Sequence, residues 1–361
     1  MHTAQYIANA HGLARLAQRL WCASPSPGLA VRCDLFAAKN QSRPLFTFGG
    51  RIAFFSTSRL RLAKIRLGPG KDAFAKVKFK KTDIPSFDFW ADKARPPLVS
   101  DLSPEECAAT IEKYADLAIE NAPKWREKLT TDHQISLYTL HYIAAMVIMR
   151  PPSPAWHMAI HILHTAVRLS YAPSILTIVR LAHMRNLLGQ TQFAQAEEAF
   201  ARVLACRDNP DACTLKGLIL AARDRPDADV KALDWFRLAV QIGGEEPGAW
   251  NWQASCYTGM AKIYLKQGEK EKARETLRHA ANRLDVPEAC WLYANTLAQD
   301  DADRAVWFKK AVVSGNMAAA RELAQLELRD IDNASLSRRE KEEKQAFADE
   351  WLAIAGDKAL L

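Results

Sequence analysis

The chain has 361 residues, 49% of them apolar by a broad count and 25% charged, the balance of a folded chain and not a disordered one. Its 49 Lys and Arg against 41 Asp and Glu leave a formal charge of +8, which taken alone points to an acidic partner such as nucleic acid or a membrane surface. Fifteen Gly, 17 Pro and seven Cys without a Cys-x-x-Cys pair exclude a fibrous chain, a disulfide framework and a zinc module.

The charge is unevenly placed. Residues 1–66 carry ten basic side chains and one acid, Asp34, whereas the rest holds 39 basic and 40 acidic residues, a net of −1. Within 10–21, Leu13, Leu16, Leu20 and Trp21 fall on one helical face and Arg15 and Arg19 on another, the basic amphipathic pattern of an organelle presequence. Arg51-Ile-Ala-Phe-Phe-Ser-Thr-Ser-Arg-Leu-Arg is similar to the cleavage region of fungal mitochondrial precursors. Residues 1–66 therefore read as a mitochondrial presequence, with a basic RNA- or lipid-binding arm as the alternative. No apolar run reaches the roughly 18 residues that span a bilayer. Import would then deliver the remaining chain to the matrix.

Residues 67–101 contain Gly68-Pro-Gly70, Lys76, Lys78, Lys80, Lys81 and scattered aromatics (Phe79, Phe87, Phe89, Trp90), and read as an extended, partly tethered leader. Ser103-Pro-Glu-Glu106 predicts a helix start, with a Ser cap, Pro at the first position and Glu at the third. Cys107, Ile111, Tyr114, Ala115 and Ala118 follow at helical period. A second helix is expected from after Asp132 to about Met149, apolar nearly all round and so deeply buried. Arg150-Pro-Pro-Ser-Pro154 ends it. Residues 102–154 thus read as an N-terminal helical cap.

From 155 onward the chain repeats. Apolar anchors at Leu163, Phe200, Phe236, Leu277 and Phe308 are spaced by 37, 36, 41 and 31 residues. Each is followed by a small or β-branched pair such as Ala166-Val167 or Ala239-Val240, and Pro173, Pro210, Pro247 and Pro287 recur about ten residues further on. Pro210-Asp-Ala-Cys213 matches Pro287-Glu-Ala-Cys290, and Leu233-Asp-Trp-Phe-Arg-Leu-Ala-Val matches Ala305-Val-Trp-Phe-Lys-Lys-Ala-Val. With small residues at Gly217, Ala261 and Ala294 and the string Lys231-Ala-Leu-Asp-Trp-Phe236, 155–328 resembles five units of the Sel-one-like branch of the tetratricopeptide (TPR) superfamily. The resemblance implies an all-α, right-handed α-solenoid of helix–turn–helix repeats with helical caps, in which stacked pairs bury what one pair cannot. The unit 247–286 is long and the next one short. Residues 329–361 read as a capping helix opened by Ser337-x-x-Glu340, with Phe347, Trp351 and Ala355 on the closing face.

The chemistry-bearing motifs are absent: no phosphate loop, no Gly-x-Gly-x-x-Gly, no Gly-x-Ser-x-Gly, no His-Glu-x-x-His. His157, His161 and His164 have metal-ligand spacing on a helix. Against this, repeat positions matching His161 hold Glu198, Asp234 and Glu275, and those matching His164 hold Ala201, Arg237 and Arg278, so a solvated polar face is expected. No metal, cofactor or catalytic residue is assigned. Cys206 and Cys213 flank a turn that some relatives bridge, and buried free thiols are expected there. The TPR resemblance implies a peptide- or helix-binding groove along the first helices, and counting from the small positions places Asp211, Thr214, Thr258, Lys262, Trp291 and Asn295 in it. The expected function is a mitochondrial scaffold for a protein partner, in assembly or maintenance of a respiratory or ribosomal complex. An RNA-binding repeat protein is the alternative, opposed by the near-neutral body and irregular periods. A His-dependent metal enzyme is the third.

Overall fold

The computed structural model describes residues 77–93, 102–149, 153–331 and 336–356; the presequence expected over 1–66 lies outside them. Among the described residues every regular element is helical. Two short 3₁₀ turns (Lys81–Asp83 and Thr191–Phe193) accompany fourteen α-helices. The first three are α1 (Phe87–Lys93), α2 (Pro104–Glu120) and α3 (Leu137–Ile148). Then come α4 (Ala155–Arg168), α5 (Ala172–Met184), α6 (Ala194–Cys206), α7 (Pro210–Ala221) and α8 (Pro226–Gly243). The chain continues through α9 (Gln253–Lys266), α10 (Lys270–Arg283), α11 (Pro287–Thr296) and α12 (Ala302–Val313). It closes with α13 (Ala318–Ile331) and α14 (Arg338–Ile354). From α2 on, nearly every helix packs on the one before it, and α4 on α6, α5 on α7 and α7 on α9 pack next-but-one, the sequential stacking of a repeat solenoid.

Local chemistry sets the boundaries. Ser103 Oγ accepts from Glu106 N at 3.1 Å while Ser103 N donates to Glu106 Oε2 at 2.7 Å, the reciprocal cap that the sequence spells. Cys107, Ile111, Tyr114, Ala115 and Ala118 are the buried face of α2. α3 starts later than its apolar run suggests, because Ser136 caps Thr139 N at 2.9 Å and 122–133 form turns. The described part of the leader is tethered by two buried aromatics, Phe79 and Trp90, but it is not extended throughout, since it includes α1. At the far end Trp351 and Ala355 do pack on the preceding helices, but Phe347 is 54% exposed. The face that α14 turns inward runs through Lys344, Ala348, Trp351 and Ala355, and Lys344 pairs with Glu327 of α13 at 3.1 Å.

All five anchors are buried, and Phe236 shows why. A Cβ on Gly217 of α7 would stand 2.5 Å from Cε1 of its ring, and one on Gly259 of α9 would stand 2.7 Å from its Cζ. One phenyl ring thus fills the space between successive first helices, and only hydrogen at both positions admits it. The long unit is explained by the turn 244–252 between α8 and α9. Trp250 covers Gly243 and donates from Nε1 to Gly244 O at 3.2 Å. Buried Gln253 accepts from Gly248 N at 2.9 Å and donates to Glu246 O at 3.1 Å. The buried side chains form three contiguous groups along the chain: one from Phe79 to Leu215, one from Cys213 to Ala273 and one from Ala254 to Ala355.

The N-terminal helices do more than close an end. His161 and His164, expected on a solvated face, are buried. The matching positions Glu198 and Asp234 are exposed; α4 differs because α2 and the turns after it cover that face. Arg126 Nη2 donates to His161 Nε2 at 3.3 Å, so the ring proton sits on Nδ1 and faces Tyr114 Oη at 2.8 Å. Tyr114 in turn donates to Thr165 Oγ1 at 2.9 Å. Trp125 stacks parallel to His161 at 6.3 Å, and Arg126 lies 4.6 Å above the Trp125 ring. Tyr114→Phe keeps the ring but takes the hydroxyl away from His161 Nδ1 and leaves Thr165 Oγ1 only the longer bond from Arg126 Nε at 3.4 Å. It is expected to lower unfolding free energy by about 1–2 kcal/mol in urea titrations.

Candidate partner-binding face

The first helices of the stacked pairs, α5, α7, α9 and α11, carry the residues that the repeat count places in a groove. Thr214 and Thr258 do not face it. Both are buried, and each hydroxyl donates to the carbonyl one turn back, Pro210 O at 2.9 Å and Ala254 O at 2.8 Å. They sit beside the small positions that let neighbouring helices approach, so the groove edge lies outside them. Asp211 is tied down instead. Its carboxylate accepts from Trp252 N at 2.7 Å and from Asn251 Nδ2 at 2.9 Å, which fixes the entry into α9. Burial pushes its carboxyl above the ordinary carboxylate value, and these hydrogen bonds pull the other way.

The remaining three are closer to a surface. Lys262 on α9 is exposed and pairs with Glu288 on α11 at 2.7 Å. Asn295 is exposed and donates to the Trp291 carbonyl at 3.1 Å. Trp291 is half-buried, and its indole Nε1 is enclosed with no acceptor. Lys262, Glu288, Trp291 and Asn295 therefore make a mixed polar and aromatic stretch across α9 and α11, while Asp211, Thr214 and Thr258 serve the fold.

Further along the same row of helices, Arg180 of α5 stacks on Trp252 at 4.7 Å, next to the Asp211 carboxylate. Sequence reasoning missed this pair, because no local pattern links residues so far apart. It also missed Glu288, although the cation at Lys262 and an acid in the first turn of the next first helix are complementary charges at recurring positions.

Burial pushes the thiols of Cys107 and Cys290 up to about 11, and those of Cys213 and Cys256 also upward, which holds them protonated and poorly nucleophilic at neutral pH. Cys206 is a free thiol but an exposed one, contrary to expectation, and its Sγ lies 3.6 Å from Arg202 O. Among the described residues no three His, Cys, Asp or Glu side chains are grouped to hold a metal. His157 is exposed, His161 faces Tyr114 and Arg126, and His164 lies against Phe193. Among the described residues no helix is long and apolar enough to cross a membrane. No protein-family model matches the chain, and no curated protein matches it.

Proposed function

We propose that this chain is a mitochondrial helical-repeat scaffold, similar to the Sel-one-like branch of the TPR proteins, that holds a protein partner along its first helices. The observation that carries this reading is the stretch formed by Lys262, Glu288, Trp291 and Asn295 on consecutive first helices. A half-buried tryptophan on a helix that also carries exposed Asn295, beside exposed Lys262 of the neighbouring first helix, has the composition of an interface anchor. The near-neutral charge of 67–361 favours protein over RNA, since a phosphate backbone is met by clustered Lys and Arg. The mitochondrial address rests on the basic, amphipathic residues of 1–66. A role in building or maintaining a respiratory or ribosomal complex follows from that address and from the scaffolding habit of the family it resembles.

The test is comparative. The tagged chain and a Lys262→Glu/Asn295→Arg variant are purified from mitochondria and their bound proteins quantified. Both positions are exposed and the Lys262–Glu288 pair that is lost is a surface one, so the variant should melt within about 2 °C of the wild type. It should retain its partner about tenfold less well, a loss of about 1.4 kcal/mol. Equal retention by both chains sinks the face. Recovery of a ribonuclease-sensitive complex sinks the protein partner.

A further inference from the structure

Four residues before each repeat anchor stands a side chain that faces the neighbouring helices. It is Ala159, Ala196, Ala232 and Ala273 in the first four units, every one fully buried. In the fifth unit the same position is Arg304, 9% exposed. Its guanidinium lies 5.4 Å from the ring centre of Phe308, and its Nε is sealed from solvent without an acceptor. Among the described residues no carboxylate lies within ion-pair distance of it. The two terminal nitrogens are not enclosed, so the guanidinium is open along its outer edge while its Nε–H is left without an acceptor. That arrangement costs free energy, and the other four units show that alanine satisfies the packing.

We propose that Arg304 is a receiving site for a single carboxylate, supplied by an acidic side chain of the bound protein partner. The planar guanidinium is suited to pair with a carboxylate through two hydrogen bonds. One guanidinium balances one negative charge. The adjoining Asp300, Asp301 and Asp303 place further negative charge in the same turn, which disfavours a dianionic phosphate. The identity of the occupant rests on the scaffold reading; the response to a carboxylate does not.

The test uses thermal unfolding of the full chain in chloride, acetate and phosphate at equal ionic strength, and with capped Ala-Glu-Ala against Ala-Gln-Ala. Arg304→Met keeps the apolar stem without the charge, and Arg304→Ala restores the residue of the other units. In chloride Arg304→Met is expected to melt no lower than wild type. Acetate and the Glu peptide are expected to raise the wild-type midpoint by about 2–3 °C, and to do nothing specific for either variant. A lower midpoint for Arg304→Met in chloride would mean that the fold already satisfies the guanidinium, and would overturn the proposal. So would an equal acetate shift in wild type and variants, or none in wild type. A phosphate shift larger than that of acetate overturns the carboxylate class, and a response to acetate without one to the Glu peptide overturns the partner side chain. Because no partner is present, a failed co-purification leaves this result readable.

Discussion

Gly217→Ala is expected to lower unfolding free energy by about 2–3 kcal/mol, and Phe236→Ala by about 3–5 kcal/mol. The two are one effect seen from opposite sides. The Phe236 ring is fully buried, and the alanine methyl would arrive 2.5 Å from one of its carbons, with two more ring carbons inside 3 Å. The ring cannot swing away, because Gly259 of α9 bounds it on the other side at a comparable distance. Helix propensity would favour alanine by up to about 1 kcal/mol, so the overlap has to exceed that gain before any loss is seen. Removing the ring instead empties the space between three helices and forfeits its contacts. The check is a double-mutant cycle in urea. Gly217→Ala combined with Phe236→Leu should lose clearly less than the sum of the two single changes. Strict additivity would show that ring and glycine are not in contact.

Acid is expected to weaken the fold well above the carboxylate range. Burial pulls the His141 imidazole down to about 4 from its ordinary 6.5, and its Nδ1 lies 2.9 Å from Ser174 Oγ. The unfolded chain takes up that proton below about pH 6.5 and the folded one only near pH 4. The stabilisation is therefore whole above pH 6.5, falls away as pH drops towards 4, and changes no further once both states are protonated. At about 1.4 kcal/mol per pH unit the loss amounts to up to about 3 kcal/mol. His183 and His279 are also held below their ordinary value by burial and act in the same direction. Asp132, Asp224 and Glu340, whose hydrogen bonds hold them below the usual range, act at lower pH, and Asp211 opposes them all. Urea midpoints at pH 7.5 and pH 4.5 measure the difference. His141→Asn, whose amide can still reach Ser174, should shrink that difference, and an unchanged pH dependence would clear His141 of the effect.

The sequence revealed the fold through its period and the site hardly at all. Anchors and trailing small residues are local signals that mark helices the structure contains. Pro173, Pro210 and Pro287 stand at helix starts, whereas Pro247 falls in the turn 244–252 before α9. Burial within helices was legible, as the α2 face and the deeply buried α3 show, but several surfaces covered by other segments were not. His161 and His164 were aligned with mostly charged, exposed positions, yet Tyr114 of α2 and Trp125 cover His161 and Phe193 lies against His164, and no repeat pattern reports what a non-repeating segment lies against. Thr214 and Thr258 were placed in a groove by counting, yet a threonine beside a close-approach glycine or alanine is drawn into the helix contact. Phe347 was grouped with Trp351 and Ala355 at a spacing of four, whereas the inward face of α14 sits one residue to the side. Arg304 was legible all along, since it breaks a column of four alanines.

The division of the buried side chains into three groups bears on how the molecule comes apart. Each group is held chiefly by helices close in sequence, so the array has seams, near α7 and again near α9, where fewer layers must separate together. Heating or pulling should open it in stages, the terminal block exchanging its amide protons while Tyr114, His161 and Thr165 stay protected. A partner that clasps α9 and α11 would straddle the later seam and act as a splint, converting a stepwise failure into a cooperative one.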